Sequence, residues 1–141
     1  MFVYVASILL VITSNVFYHI AQKQTPEKAN PFTALFVTYI TAAIFTLFLM
    51  PTYKNDRSFL ESFKDLNWTS IVLGICVVGL EYGYIMVYRA GWNISLGALV
   101  ANITLSLLLI PIGIFFYKEG FEPNKVIGAV LCIIGLIVIN K

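Results

Sequence analysis

The chain has 141 residues, 60% of them hydrophobic and only 11% charged, with a mean hydropathy of +0.89. Soluble domains carry about a quarter charged residues, so a water-soluble enzyme, a nucleic-acid reader and a disordered tail are all poor fits. A formal charge of +2, from nine Lys/Arg against seven Asp/Glu, is too mild and too scattered for a nucleic-acid or lipid-headgroup patch.

At about 20 apolar residues per helical crossing, this length holds about five or six crossings and leaves no room for a soluble catalytic domain. The composition and spacing predict an all-α integral membrane protein: one domain over 1–141 with five transmembrane helices and its termini on opposite sides. The first span, 2–21, lacks the basic start and small-residue cleavage site of a signal peptide and is read as retained. A polar link follows, in which Pro26 and Pro31 break the helix. The second span, 32–50, is closed by Pro51. In the longest connection Phe59, Phe63 and Leu66 recur at helical spacing among charged residues, which predicts a short interfacial helix within 57–67. Trp68 is placed at headgroup level.

The third span, 69–88, ends at Arg89, read as a side chain that snorkels out of the hydrocarbon. After a tight turn at 90–93, the fourth span covers 94–117 and contains Pro111, which removes a backbone donor. A charged link with Gly120 and Pro123 leads to the fifth span, 126–140, short for a crossing. Cys76 and Cys132 both lie in apolar runs and are read as buried free thiols.

Orientation follows the distribution of Lys and Arg. With a cytoplasmic N-terminus, Lys54, Arg57, Lys64, Lys118 and Lys125 fall inside, and Lys23, Lys28, Arg89 and Lys141 fall outside. So even a split barely specifies orientation, and insertion in both directions is open alongside a single orientation.

Glu81, in the third span, is the one ionisable side chain well inside a span. A charge at the centre of a span costs on the order of 3 kcal/mol on insertion scales, so Glu81 is expected to face a protein interior or a watery cavity. Tyr84 and Tyr88 follow at three and seven positions and share its face. A carboxylate beside aromatic rings suits an organic cation, through charge pairing and cation–π attraction. The alternative is a protonated Glu81 hydrogen-bonded to a neighbouring helix. In the first span Asn15 and His19 lie one turn apart, with Ser7, Ser14 and Tyr18 on an adjoining face; His19, near the helix end, suits an interfacial hydrogen bond. Ser95, Ala98, Asn102, Ser106 and Gly113 form a small, polar stripe in the fourth span, which serves either a cavity or helix packing. Tyr39, Thr38 and Thr41 on the second span are further polar candidates, none singled out. Gly79 and Gly83 make a G-x-x-x-G face, and Gly128, Cys132 and Gly135 a similar one, for packing or dimer contact. No nucleotide, metal or redox motif occurs, so no cofactor and no enzymatic activity are expected, and uphill transport would draw on an ion gradient or a second substrate.

From Tyr88 onward the chain resembles the last part of an EamA-type repeat of the drug/metabolite transporter superfamily. The matching text is Ala90-Gly91-Trp92-Asn93-Ile94-Ser95-Leu96-Gly97-Ala98-Leu99, a long apolar helix, Lys118-Glu119-Gly120, then Gly128 and Gly135. The five-helix count resembles one complete repeat. The chain departs from the family in having Asn102 and Thr104 where a proline is usual early in the fourth helix. The more distantly similar small multidrug-resistance transporters carry their essential glutamate on the first helix, whereas here the first two spans hold no acid. The resemblance implies a secondary transporter of a small organic, cationic or amphipathic molecule in the cell (plasma or inner) membrane. A single repeat would regain the usual inverted symmetry by pairing with an oppositely inserted copy, as an antiparallel homodimer, or with a related half-size protein. The expected chemistry is proton-coupled antiport, an efflux in exchange for protons, with Glu81 as the shared site, Tyr84, Tyr88 and Asn102 shaping specificity, and Ser106 and Asn15 as further substrate- or proton-binding residues. The competing readings are transport of a metabolite, amino acid or lipid-linked sugar without protons, with Arg89 holding an anionic group, and a non-transporting membrane assembly subunit.

Overall fold

The computed structural model describes residues 2–52, 59–120 and 122–139. Among them there is no strand. The helices are α1 (Phe2–Gln24), α2 (Pro31–Leu49), a 3-10 turn (Met50–Thr52), α3 (Phe59–Ser62), a second 3-10 turn (Phe63–Asp65), α4 (Trp68–Arg89), α5 (Ile94–Tyr117) and α6 (Pro123–Ile139). Four of them, α1, α2 extended by its 3-10 turn, α4 and α5, are long and apolar enough to cross a membrane. The 17 residues of α6 rise about 26 Å, at the lower limit for the hydrocarbon core.

Local chemistry sets the helix ends. Asn30 Oδ1 accepts from the backbone N–H of Phe32 at 2.9 Å and of Thr33 at 3.4 Å, and Pro31, with no N–H to satisfy, occupies the first helical position. Pro31 therefore starts α2 instead of breaking a helix. Asn67 caps α4 in the same way, accepting from Thr69 N at 2.9 Å and from the Thr69 hydroxyl. The turn after α4 needs Gly91, whose φ of 92° is strained for any side chain. At the end of α5, Lys118 adopts φ 54° and its N–H and that of Glu119 both return to the Gly113 carbonyl. Glu119 folds over Gly113 so closely that a Cβ there would lie 2.9 Å from its carboxyl carbon.

The predicted interfacial helix is present only as α3 and the turn after it; Arg57 and Ser58, at its start, lie outside the described residues, as do Lys54, Asn140 and Lys141. α1 extends to Gln24, three residues beyond the predicted span, and α6 begins at Pro123 instead of 126.

The chain divides into two compact units, Met1–Gly91 and Trp92–Lys141. In the first, α4 packs against both α1 and α2; in the second, α5 packs against α6. Contact in the first unit is confined to one end of its spans. The start of α1, the second half of α2 and the start of α4 are exposed, while Leu35, Ile85 and Tyr88 are buried together with His19, Gln22 and Glu81. Polar side chains thus make up half of the buried set among the described residues of this unit. In a lipid solvent apolar side chains gain little by turning inward, so the polar ones are the groups that must find partners. Cys76 and Cys132 are free as expected, but exposed instead of buried. Few side chains are buried within each unit, none among the described residues of α6, and neither cysteine is one of them.

A clasp closes the packed end. Arg89, the last residue of α4, donates from one terminal nitrogen to the Pro26 carbonyl at 3.0 Å and to the Ala29 carbonyl at 2.7 Å, which ties the α1–α2 turn to α4. Lys23 reaches the Tyr88 carbonyl at 3.5 Å and lies 5.6 Å from the Tyr88 ring centroid. Replacing Arg89 with Ala is expected to lower the melting temperature in detergent by the equivalent of about 1–2 kcal/mol, the loss of charge-assisted bonds at a partly exposed site. Arg89→Lys, a point charge without the planar fork, should recover only part of it; an unchanged melting temperature in Arg89→Ala would mean that these bonds do not stabilise the fold.

Candidate functional site

Along α4, Glu81, Ile85 and Tyr88 follow the i, i+4, i+7 spacing of one helical face, and all three are buried, Glu81 with 9% exposure. Glu81 lines a cavity of about 110 Å³ together with Ile85, with Tyr18, Ala21, Gln22 and Thr25 of α1 and its end, and with Ala34, Leu35 and Thr38 of α2. The carboxylate thus sits where all three spans of the first unit meet. Among the described residues, no hydrogen-bond donor or cation of the chain pairs with it. Of the basic side chains at this end, Arg89 donates to the turn carbonyls and Lys23 to the Tyr88 carbonyl.

The polar lining is biased toward acceptors. Thr25 donates its hydroxyl proton to the Ala21 carbonyl at 3.2 Å, and Thr38 donates its own to the Ala34 carbonyl at 3.0 Å. Gln22 Nε2 donates to the Tyr18 hydroxyl at 3.3 Å. What these groups still offer is mainly oxygen lone pairs, beside the Tyr18 hydroxyl proton and the second amide proton of Gln22. On α2, the Tyr39 hydroxyl is buried without a hydrogen-bond partner among the described residues.

Tyr84 and Tyr88 share the Glu81 face, as the spacing predicts, but do not line its cavity. They belong to an aromatic cluster around His19. The Tyr88 hydroxyl and His19 Nδ1 are 2.8 Å apart in a buried hydrogen bond. The Tyr84 ring meets the His19 ring edge-on at 4.8 Å and stacks beside Tyr88 at 6.1 Å, while Tyr18 meets both His19 and Tyr84 edge-on, at 5.2 and 5.9 Å. His19 therefore makes a hydrogen bond between helices inside the packed end, and the rings are engaged with one another. Tyr88 also borders a second, smaller cavity of about 60 Å³ with Gln22, Lys23, Thr25, Glu27, Ile85 and Arg89.

Residues 3–141 match the EamA-like transporter family. The chain belongs to that family. Neither a curated protein nor a solved structure was found to match it. As an EamA-like protein it is an integral membrane transporter of the drug/metabolite superfamily, and its single five-helix repeat spans nearly the whole sequence given.

Other predicted residues of this EamA-like chain fall elsewhere. Asn15 is exposed on α1, one turn before His19. Asn102 and Ser106 belong to the second unit, where the Ser106 hydroxyl donates to the Asn102 carbonyl at 2.8 Å. Both line a groove of about 370 Å³ with Ile103, Leu107, Ile110, Gly128, Ala129 and Cys132. At Gly79, Gly83, Gly128 and Gly135 a Cβ would meet nothing within 4 Å among the described residues, so no close approach among them requires a glycine there. Gln22, Thr25 and Thr38 are cavity residues that periodicity does not reveal. Gln22 and Thr25 read as link because α1 continues past the apolar run, and Thr38 is one of several threonines on an apolar helix.

The His19–Tyr88 bond can be weighed by a double-mutant cycle. Each of His19→Phe and Tyr88→Phe is expected to cost about 1–3 kcal/mol by leaving a buried partner unsatisfied, with a coupling of about 0.5–1.5 kcal/mol. Strictly additive losses in unfolding experiments would mean that the bond contributes nothing.

Proposed function

We propose that this EamA-like protein is a proton-coupled antiporter that exports a small organic cation, with Glu81 as the shared proton and substrate site. One observation carries the reading: a carboxylate buried at the junction of three spans, lining a cavity, with no countercharge or donor from the described chain. Such a group is costly to keep in a membrane unless it binds something. Proton and cation then compete for one carboxylate. If either ligand permits the helices to rock between inward-open and outward-open forms, and the empty charged site does not, the two fluxes are coupled.

The transporting assembly in this proposal is an antiparallel pair of five-helix units in the cell membrane, a homodimer or a pair with a related half-size protein. The open glycine faces at Gly79, Gly83, Gly128 and Gly135 are the surfaces offered to the second unit, since small residues let membrane helices approach closely. The nearly even division of Lys and Arg between the two sides leaves both insertions accessible.

Glu81→Gln preserves shape and removes the titratable charge. In liposomes it is expected to abolish proton-coupled flux while the protein keeps its melting temperature and oligomeric state; undiminished coupling would sink the proposal. Single cysteines placed at Met1 and at Lys141, in a background lacking Cys76 and Cys132, are expected to react with an impermeant reagent from both sides of intact membranes. Strictly one-sided labelling would exclude the inverted homodimer.

A further inference from the structure

We propose that the Glu81 cavity selects a primary ammonium group, a cation that carries its charge on N–H bonds, over quaternary ammonium and alkali-metal ions. The inference rests on the reading of Glu81 as the substrate site and concerns which cation that site takes.

Size comes first. Pockets for drug-sized ligands run to about 300–1,000 Å³, whereas the space beside Glu81 is about 110 Å³. It accommodates a charged head group with a short stub of carbon and leaves the rest of a larger molecule outside. It is also generous for a bare hard cation, whose oxygens must close in to about 2.3–2.6 Å.

Hydrogen bonding decides the class. The Thr25 and Thr38 hydroxyl protons are committed to the carbonyls one turn back, and an amide proton of Gln22 to the Tyr18 hydroxyl. The cavity therefore presents the Thr25, Thr38 and Gln22 oxygens and the Glu81 carboxylate against two donors, the Tyr18 hydroxyl proton and the second amide proton of Gln22, an excess of acceptors around one negative charge. An –NH3+ group brings three donors and the matching charge. A quaternary ammonium brings the charge but no donor, and it would leave these oxygens dehydrated and unpaired. Recognition of quaternary ammonium relies instead on an aromatic cage. Here Tyr18 is the one ring among the described lining residues, too few for a cage, and it meets His19 and Tyr84 edge-on, while Tyr84 and Tyr88 are absent from the lining and are packed with His19 and with each other.

The test is calorimetric titration of the full-length protein in detergent with butylammonium, butyltrimethylammonium and sodium chloride. Butylammonium is expected to bind at least about tenfold more tightly than its trimethylated analogue, the difference expected from losing hydrogen bonds to a charged group. Thr38→Val, which removes an acceptor at constant shape, should weaken butylammonium several-fold and leave butyltrimethylammonium unchanged, while Thr38→Ser retains the preference. Melting curves identify any variant that fails to fold, and the comparison of the two amines on the parent protein stands without them. Equal or tighter binding of butyltrimethylammonium, displacement of butylammonium by sodium, or no binding of butylammonium overturns the selection. If Glu81→Gln still abolishes proton-coupled flux in that event, the antiport reading survives it. If Glu81→Gln leaves both amine binding and flux unchanged, the antiport reading itself falls.

Discussion

A carboxylate cannot remain charged and alone in hydrocarbon, and the first unit is organised around that constraint. Glu81 requires water, a proton or a cation, and the chain answers by bringing α1, α2 and α4 together at its level. Two of the three apolar side chains buried there, Ile85 and Tyr88, lie on the same face of α4 as Glu81, and the polar ones, His19 and Gln22, come from α1. The cavity is the place where three helices, each contributing one or two polar side chains, cannot close completely.

The same logic explains why the packed region is held by hydrogen bonds as much as by apolar contact. Lipid is as apolar as leucine, so a leucine gains little by exchanging one for the other. An imidazole, a phenol or a guanidinium gains a great deal from a partner. The His19–Tyr88 bond joins α1 to α4, and Arg89 joins α4 to the turn between α1 and α2. These bonds fix the helix ends against one another, and the threonine and glutamine side chains of the cavity inherit their positions from them. The remaining lengths of the three helices, exposed within the chain, are suited to lipid or to another polypeptide.

Much of the architecture is legible in the sequence because a membrane imposes a length. Runs of about 20 apolar residues bounded by Pro, Gly and charged residues give each crossing to within a few positions, while the caps made by Asn30 and Asn67 became evident only in the structure. Glu81 is legible for a related reason: a single acid in an apolar run is conspicuous, and the i, i+3, i+7 spacing places Tyr84 and Tyr88 on its face, whereas Ile85 beside it is one apolar residue among many. The cavity lining is far less so. In a soluble helix the buried face is the apolar face, but these helices are apolar all round, so composition does not say which way Gln22, Thr25 or Thr38 points. The exposed thiols of Cys76 and Cys132 have the same origin, since an apolar neighbourhood in sequence is not a buried one in a protein whose solvent is lipid.

The sequence by itself determined that this is a helical membrane protein, where its spans lie, that its family is one of transporters, and that Glu81 is the exceptional charge. Only the tertiary structure decided what surrounds that charge. It turned Tyr84 and Tyr88 toward His19 instead of the cavity, placed α1 and α2 oxygens there in their stead, and directed Arg89 and Lys23 to backbone carbonyls. The physical reason is that the span lengths follow from each segment's own transfer into lipid, whereas the environment of Glu81 depends on how three separate segments satisfy their polar groups together.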